Sequence, residues 1–326
     1  MFGDLAFDKE TRKFADPQQK LQEILAEIKL ADELGIDVFA LGEHHRPDYV
    51  VSSPEMVLSA AASITKNIKL MSAVTVLSSA EPVKVYQDFS TLDLISGGRA
   101  EIGVGRGSFI ESFPLFGYNL NDYHELFEEK LDLLLKINTQ ENVTWKGKLR
   151  APMENQTVYP RATNNGKLPV WIAVGGTPES VLRAARLGLP LVVAIIGGLP
   201  KQFKPVIEFY KQEFLKNGHN PEEMQIGIHS HTLVSEDPEV IDGYFENYAA
   251  QMNRIGSTRG WSPYTKMQYE GGRSKDGALF IGNSDEVAEK INTVKEMFGL
   301  TRYIAHLDVG APNLEVLMIS IEFFGR

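Results

Sequence analysis

The chain has 326 residues, 43% hydrophobic and 23% charged, with a formal net charge of −10 and no cysteine. These are the proportions of an ordinary globular protein, and the acidic balance argues against a broad nucleic-acid or anionic-membrane footprint, which needs a basic face. Without cysteine there are no disulfides, no thiolate metal ligands and no cysteine nucleophile.

The opening stretch, MFGDLAFDKE, carries acidic residues and lacks the basic segment and apolar core of a signal peptide. The most apolar run, LGLPLVVAIIGGLP, is interrupted by Pro190, Gly197 and Gly198 and is too short to span a bilayer. A cytoplasmic location is expected, with no membrane partner and no nucleic-acid partner.

In chain order, MFGDLAF is taken as a first strand. A helical run follows in which Leu21, Ile24, Leu25 and Ile28 recur on one face. Strands are predicted at 37–43, 68–77 and 99–105, each after a helix-like segment. A long helix at about 121–138 and a hairpin around VTWKGKLRAP come next. Further strands are predicted at 169–176, 189–196, 225–234 and 303–310, again separated by helix-like runs. They read as near-continuous apolar stretches, as in a parallel sheet covered on both faces. Helix starts such as DPQQ, SPEM, TPES and DPEV place Pro just inside the first turn. Eight strand–helix alternations predict an α/β fold, a (β/α)8 TIM barrel with insertions, in a single domain over 1–326; a doubly wound open sheet is the rival. Residues 256–278 break the alternation and are expected to form a long mobile loop, or else a disordered insertion.

Barrel enzymes carry their chemistry at the C-terminal ends of strands. Three stretches qualify: Glu43-His44-His45, GVGRGSF (103–109) and VGGTPES (174–180). In the last, Gly175 and Gly176 end a strand, and Thr177 stands where it can cap a helix that also carries Ser180. Free N–H groups at such a helix start suit a phosphate. Arg106, past the preceding strand, adds a guanidinium suited to the same charge. GVGRGS is not a dinucleotide fingerprint, because Ser108 stands in place of the third glycine and no acidic strand end lies about twenty residues on.

A metal is not expected. Adjacent residues on a strand face opposite sides, so His44 and His45 are poorly placed to share an ion. His229 and His231 share a face, as do His306 and Asp308, and a metallohydrolase barrel can be assembled from them, yet MFGDLAF lacks the paired histidines such a barrel carries on its first strand. As hydrogen-bonded filler these histidines need no ligand. His44 beside Glu43 differs, since a carboxylate can fix an imidazole's tautomer and raise its basicity.

Together and in order, GEHHRPDY, SAVTVLSSAEPVKVYQDFSTLDLISGGR, GVGRGSFIESFPLFG and GGTPESVLRAARLGLPL resemble the bacterial luciferase-like flavin-dependent monooxygenase family, over about Gly3 to Gly310. The resemblance implies the eight-stranded barrel. It implies reduced FMN as cofactor and a reaction with O2 that oxygenates a small organic substrate. It makes His44 the active-site histidine, with Glu43 and His45 beside it. Arg106 then meets the FMN phosphate, and Gly175, Gly176, Thr177 and Ser180 complete that pocket. Ala73–Val74 is the site of a non-proline cis peptide under the flavin, and 256–278 is a loop that shields it. A separate flavin reductase and a homodimer through the helices in SPEMVLSAAASI and EPVKVYQDFSTLDLIS are also implied.

Two departures count against light emission from an aldehyde. Ser112, with Glu111 before it, stands where light emitters carry an acidic residue next to the phenylalanine matching Phe113, and Gly105 replaces a cysteine. The resemblance leaves two other readings open: a deazaflavin-dependent hydride-transfer enzyme of the same fold, or a flavin-binding protein without robust catalysis. It does not identify the substrate; Phe109, Phe113, Phe116 and Tyr118 either line an apolar pocket or pack the fold.

Overall fold

The computed structural model describes every residue from Met1 to Arg326 except Ser108. The chain forms two compact units: Met1 with residues 3–16 and 172–326, and Phe2 with residues 17–171.

Near the N-terminus, β1 (Phe7–Asp8) and β2 (Lys13–Phe14) pair as a small antiparallel hairpin. The expected first strand over MFGDLAF is therefore corrected: ahead of β1 only an isolated bridge at Asp4 forms. Gly3 has a φ of 71°, a left-handed conformation that turns the chain out of a strand.

Residues 17–171 run α1 (Pro17–Glu33), β3 (Val38–Leu41), α2 (Pro54–Ala62), β4 (Lys69–Ser72), β5 (Thr75–Val76), α3 (Pro82–Ser96) and β6 (Ala100–Gly105). Then come α4 (Ser112–Phe116), α5 (Tyr123–Thr139) and the antiparallel hairpin β7 (Asn142–Trp145) with β8 (Met153–Thr157). β3, β4 and β6 pair in parallel, and β5 pairs with β6 beyond the point where β4 stops. Every residue of β6 is buried, including Glu101, whose carboxylate accepts from Lys69 at 3.0 Å. Gly103 of β6 lies against the Ser72 carbonyl so closely that a Cβ there would overlap it. The helices start and stop as their ends dictate: at α3 the Glu81 carboxylate accepts the Val83 N–H, and Gly97 closes the helix at φ 69°.

The remainder runs β9 (Val170–Val174), α6 (Pro178–Leu187), β10 (Leu191–Ala194), α7 (Lys204–Lys216), β11 (Ile226–Val234), α8 (Pro238–Ser257), α9 (Lys266–Arg273), β12 (Phe280–Gly282), α10 (Ser284–Phe298), β13 (Arg302–His306) and α11 (Leu314–Gly325). β9, β10 and β11 are parallel neighbours. The nine residues of β11 serve two partners on their other edge, β13 along Gly227–His231 and the short β12 along Thr232–Val234. No helix among the described residues is long and apolar enough to cross a membrane.

The expected irregular loop at 256–278 is also corrected, because it contains α9. Thr265 and Gln268 form a reciprocal capping box at its start. Tyr269 is fully buried among Leu233, Ile241, Tyr244 and Tyr248 and donates its hydroxyl to the Ile241 carbonyl. At the C-terminal end, Lys290 of α10 donates to the carbonyls of Gly272, Arg273, Ser274 and Leu279 at 2.6–3.4 Å. An ammonium is favoured at a helix C-terminus, where carbonyls lack intrahelical donors. Burial works the other way and lowers the Lys290 pKa to about 8.

Lys290→Met removes these four contacts. Amide exchange over residues 266–279 should rise, with a stability loss of roughly 1–3 kcal/mol in urea unfolding; unchanged exchange there would show that Tyr269 alone holds α9.

Candidate active site

Beyond β3 the chain stays extended through Glu43-His44-His45, so residues two apart share a side. Glu43 and His45 accordingly meet, with Oε1 of Glu43 2.7 Å from Nε2 of His45. The other oxygen, Oε2, accepts the Val76 N–H at 2.8 Å. Glu43 is buried, and both its oxygens have partners, which is what a buried carboxylate requires. The expectation that Glu43 orients His44 is therefore corrected: alternation gives the carboxylate to His45.

His44 faces the other way, into aromatic rings. Its ring centroid lies 4.5 Å from Phe2, 4.4 Å from Tyr49 and 4.9 Å from Phe109, with the two phenylalanines edge-on. Its backbone N–H donates to the Val51 carbonyl at 2.9 Å, which fixes the turn that returns Tyr49 to the ring. Phe109 is held in turn by Arg46, whose guanidinium sits 4.7 Å from the ring centroid. Arg46 reaches Asp48 at 3.0 Å and Glu111 at 2.9 Å. Sequence reading missed Arg46, Asp48 and Glu111 as supports of the site; the Arg-x-Asp spacing is the signal that was there to find.

The Ala73–Val74 peptide bond is cis, as the resemblance implies, and it separates β4 from β5. Arg106 lies just past β6. Its Nη1 is 2.6 Å from Nδ1 of His124, and its guanidinium lies 5.2 Å from the Tyr123 ring centroid. Tyr123 steadies this loop by donating to the Gly107 carbonyl at 2.8 Å. Ser108, part of the GVGRGSF stretch, lies outside the described residues.

In the other unit, Gly175 and Gly176 lead from β9 into α6. Gly176 adopts a φ of 95°, open to glycine, and a Cβ on Gly175 would meet nothing within 4 Å. Thr177 is extended at the N-cap with no side-chain cap hydrogen bond; its hydroxyl instead donates to that of Ser180 at 2.9 Å. The first turn of α6 is thus not sealed by its own N-cap side chain.

The same unit brings together three histidines, His231 and His306 buried and His229 partly buried. The His229 and His306 ring centroids are 5.1 Å apart, and those of His231 and His306 5.2 Å, as their register on β11 and β13 requires. Nδ1 of His231 is 2.8 Å from the Tyr248 hydroxyl, and His306 is 3.0 Å from Asp308. Burial pushes the pKa of all three down, His229 and His231 well below the usual value, with His306 next to each adding to the shift. They are neutral at pH 7 and so can accept hydrogen bonds or coordinate.

Two outcomes are expected. Glu43→Ala leaves the Val76 N–H buried without its acceptor and should cost roughly 1–3 kcal/mol in urea unfolding. Glu43→Gln keeps an oxygen there and should cost distinctly less. The neutral histidines set a pH dependence: as pH falls below 6.5 the unfolded chain takes up protons that the folded chain refuses, so stability drops with acidification. His231→Gln should flatten urea midpoints measured between about pH 7.5 and pH 5.5; an unchanged slope would place the proton uptake elsewhere.

The family described as luciferase-like monooxygenase matches residues 2–301. The alkanal monooxygenase alpha chain of Photorhabdus laumondii is 26% identical over 217 residues, covering 64% of this chain and 58% of its own length. The chain spans about three fifths of the length of the first curated relatives it matches. Among solved structures, the oxygenating constituent of 3,6-diketocamphane monooxygenase from Pseudomonas putida, in complex with FMN, matches with a TM-score of 0.76 at 21% identity, covering 100% of this chain and 97% of its own. An F420-dependent secondary alcohol dehydrogenase in complex with an F420–acetone adduct matches with a TM-score of 0.72 at 16% identity, covering 94% of each chain. These likenesses show the fold class, the α/β barrel expected from the alternation, shared by proteins that bind FMN or the deazaflavin F420. With a family match over nearly its whole length, this chain belongs to the luciferase-like monooxygenases.

Proposed function

We propose that the protein is a flavin-dependent monooxygenase that uses reduced FMN and O2 to oxygenate a small organic substrate, with His44 as its acid–base group. The carrying observation is the aromatic enclosure of His44 by Phe2, Tyr49 and Phe109 just beyond a strand end. An imidazole in such a setting meets little bulk water, so a proton on it passes to a bound partner rather than to solvent. Glu43 and His45 act behind it by fixing the chain on either side.

The residues present fit the cofactor. The β9-to-α6 turn supports a phosphate reading, since Gly175 leaves open space and the α6 N-terminus favours negative charge. Ala73 and Val74 are assigned to the flavin ring, and Arg106 to the phosphate, on the family likeness alone. Reduced FMN, when bound, supplies the electrons for activating O2. The chain's part is to hold the cofactor, keep water out at His44 and deliver a proton there.

The solved deazaflavin-dependent relative supports a second reading, hydride transfer without oxygen. The proposal also includes a separate reductase and a homodimer, the latter supported by Met56, Leu94 and Ile95 exposed on α2 and α3; a chain that sediments only as a monomer removes it.

Titration with reduced FMN and with reduced deazaflavin, followed by oxygen uptake, separates the two readings. On the oxygenase reading, His44→Ala lowers turnover by about 100-fold or more with flavin still bound. Arg106→Ala weakens FMN far more than riboflavin, which lacks the phosphate. Unchanged turnover in the first variant removes His44 as acid–base group, and equal losses in the second remove Arg106 as a phosphate contact.

A further inference from the structure

We propose that Arg46 is a positioning residue for His44, acting through the Phe109 ring to keep the imidazole shielded and uncharged. The consequence for turnover rests on the oxygenase reading; the effect on the imidazole does not.

The Arg46 guanidinium is held at three points. Nε donates to Oδ1 of Asp48 at 3.0 Å, Nη2 to Oδ2 of the same carboxylate at 3.3 Å, and Nη1 to Oε1 of Glu111 at 2.9 Å. Asp48 is buried and anchors one end, while Glu111 at the other end is partly exposed. A planar fork fixed in this way presents a fixed face, and the centroid of the Phe109 ring lies 4.7 Å from its Cζ. Glu111 stands two residues beyond Phe109, so Arg46 meets the segment after β6 twice, once by charge and once through the ring. The same ring meets His44 edge-on, with centroids 4.9 Å apart.

Two effects reach the imidazole by this route. Phe109 held in place keeps water away, and an imidazolium out of water is costly. A ring that already carries one cation is also a weaker partner for a second, because the guanidinium draws on the same π electrons. Each favours the neutral ring. The titratable groups around His44 are Glu43, His45, Arg46, Asp48 and Tyr49 from its own segment and Glu111 from the segment after β6; Phe2 carries no charge. Glu43 and His45 pair with each other on the opposite side, and Arg46 pairs with both remaining carboxylates.

The test follows the His44 ring by NMR titration of the full chain. Arg46→Lys keeps the charge but loses the fork and its flat face. It should raise the titration midpoint of His44 by about half a pH unit or more, as water reaches the ring. Glu111→Ala separates positioning from charge. Removing a nearby negative charge by itself lowers the midpoint, whereas freeing Arg46 and Phe109 raises it. A rise supports the proposal, and a fall or no change overturns it. Phe109→Leu should also raise the midpoint, and adding Arg46→Lys to it should bring no further shift. Additive shifts overturn the proposal, since Arg46 would then act without the ring. Where Arg46→Lys fails to fold, Glu111→Ala at its partly exposed position decides alone. On the oxygenase reading the kcat–pH profile moves with the NMR midpoint. An NMR shift with an unmoved profile removes His44 as acid–base group and leaves the positioning by Arg46 in place.

Discussion

The arrangement around His44 depends on one buried carboxylate. Glu43 leaves β3 and spends one oxygen on the Val76 N–H and the other on His45. A carboxylate out of water needs both partners, so the end of β3, the start of β5 and the imidazole of His45 are fixed by the same constraint. Alternation along the extended chain then does the rest. With 43 and 45 turned to one side, His44 has to face the other. The position of the candidate acid–base group thus follows from what its two neighbours require.

What meets His44 on that other side is supplied by residues far apart in sequence. Phe2 comes from the N-terminus, Tyr49 from the turn after β3, and Phe109 from the loop after β6. Phe109 has no strand or helix of its own to hold it. Arg46 does that by covering its ring while pairing with Asp48 and Glu111. A partly buried arginine with two acidic partners is geometrically demanding, and a planar guanidinium can satisfy both while stacking. The apolar enclosure is therefore kept in place by a charged brace just outside it.

The regular parts of the fold were legible because their periodicity is strong. Seven of the predicted strands appear within a few residues of their expected limits, since parallel strands covered on both faces are written in near-continuous apolar residues. The failures have identifiable causes. MFGDLAF is apolar enough for a strand, but Gly3 takes a left-handed conformation and Asp4 is drawn into a polar network with Asp308 and Gly310. β12 is three residues long, below what a pattern can reveal. α9 was hidden because TKMQYEGGR holds two glycines and only one fully buried side chain; its stability comes from Tyr269 and from Lys290, a residue 17 positions beyond its end. Which histidine the carboxylate serves was readable from alternation alone. The pull of adjacency in the sequence obscured it.

The buried histidines complete this logic from the opposite direction. Around His44 the polar requirement is met beside it, so the ring itself can stand among aromatics. Around His229, His231 and His306 the rings are packed against each other, and burial drives all three to the neutral form. Neutral imidazoles crowded together carry lone pairs as well as N–H groups, so some must find donors and others acceptors. Tyr248 meets that need at His231 and Asp308 at His306. Holding Asp308 as a buried carboxylate then calls for donors of its own, and the N–H groups of Gly3 and Asp4 supply them. The residues before β1 are therefore held in place by the polar demands of a core that lies three hundred positions later in the chain, which a strand-by-strand reading of the sequence has no means to register.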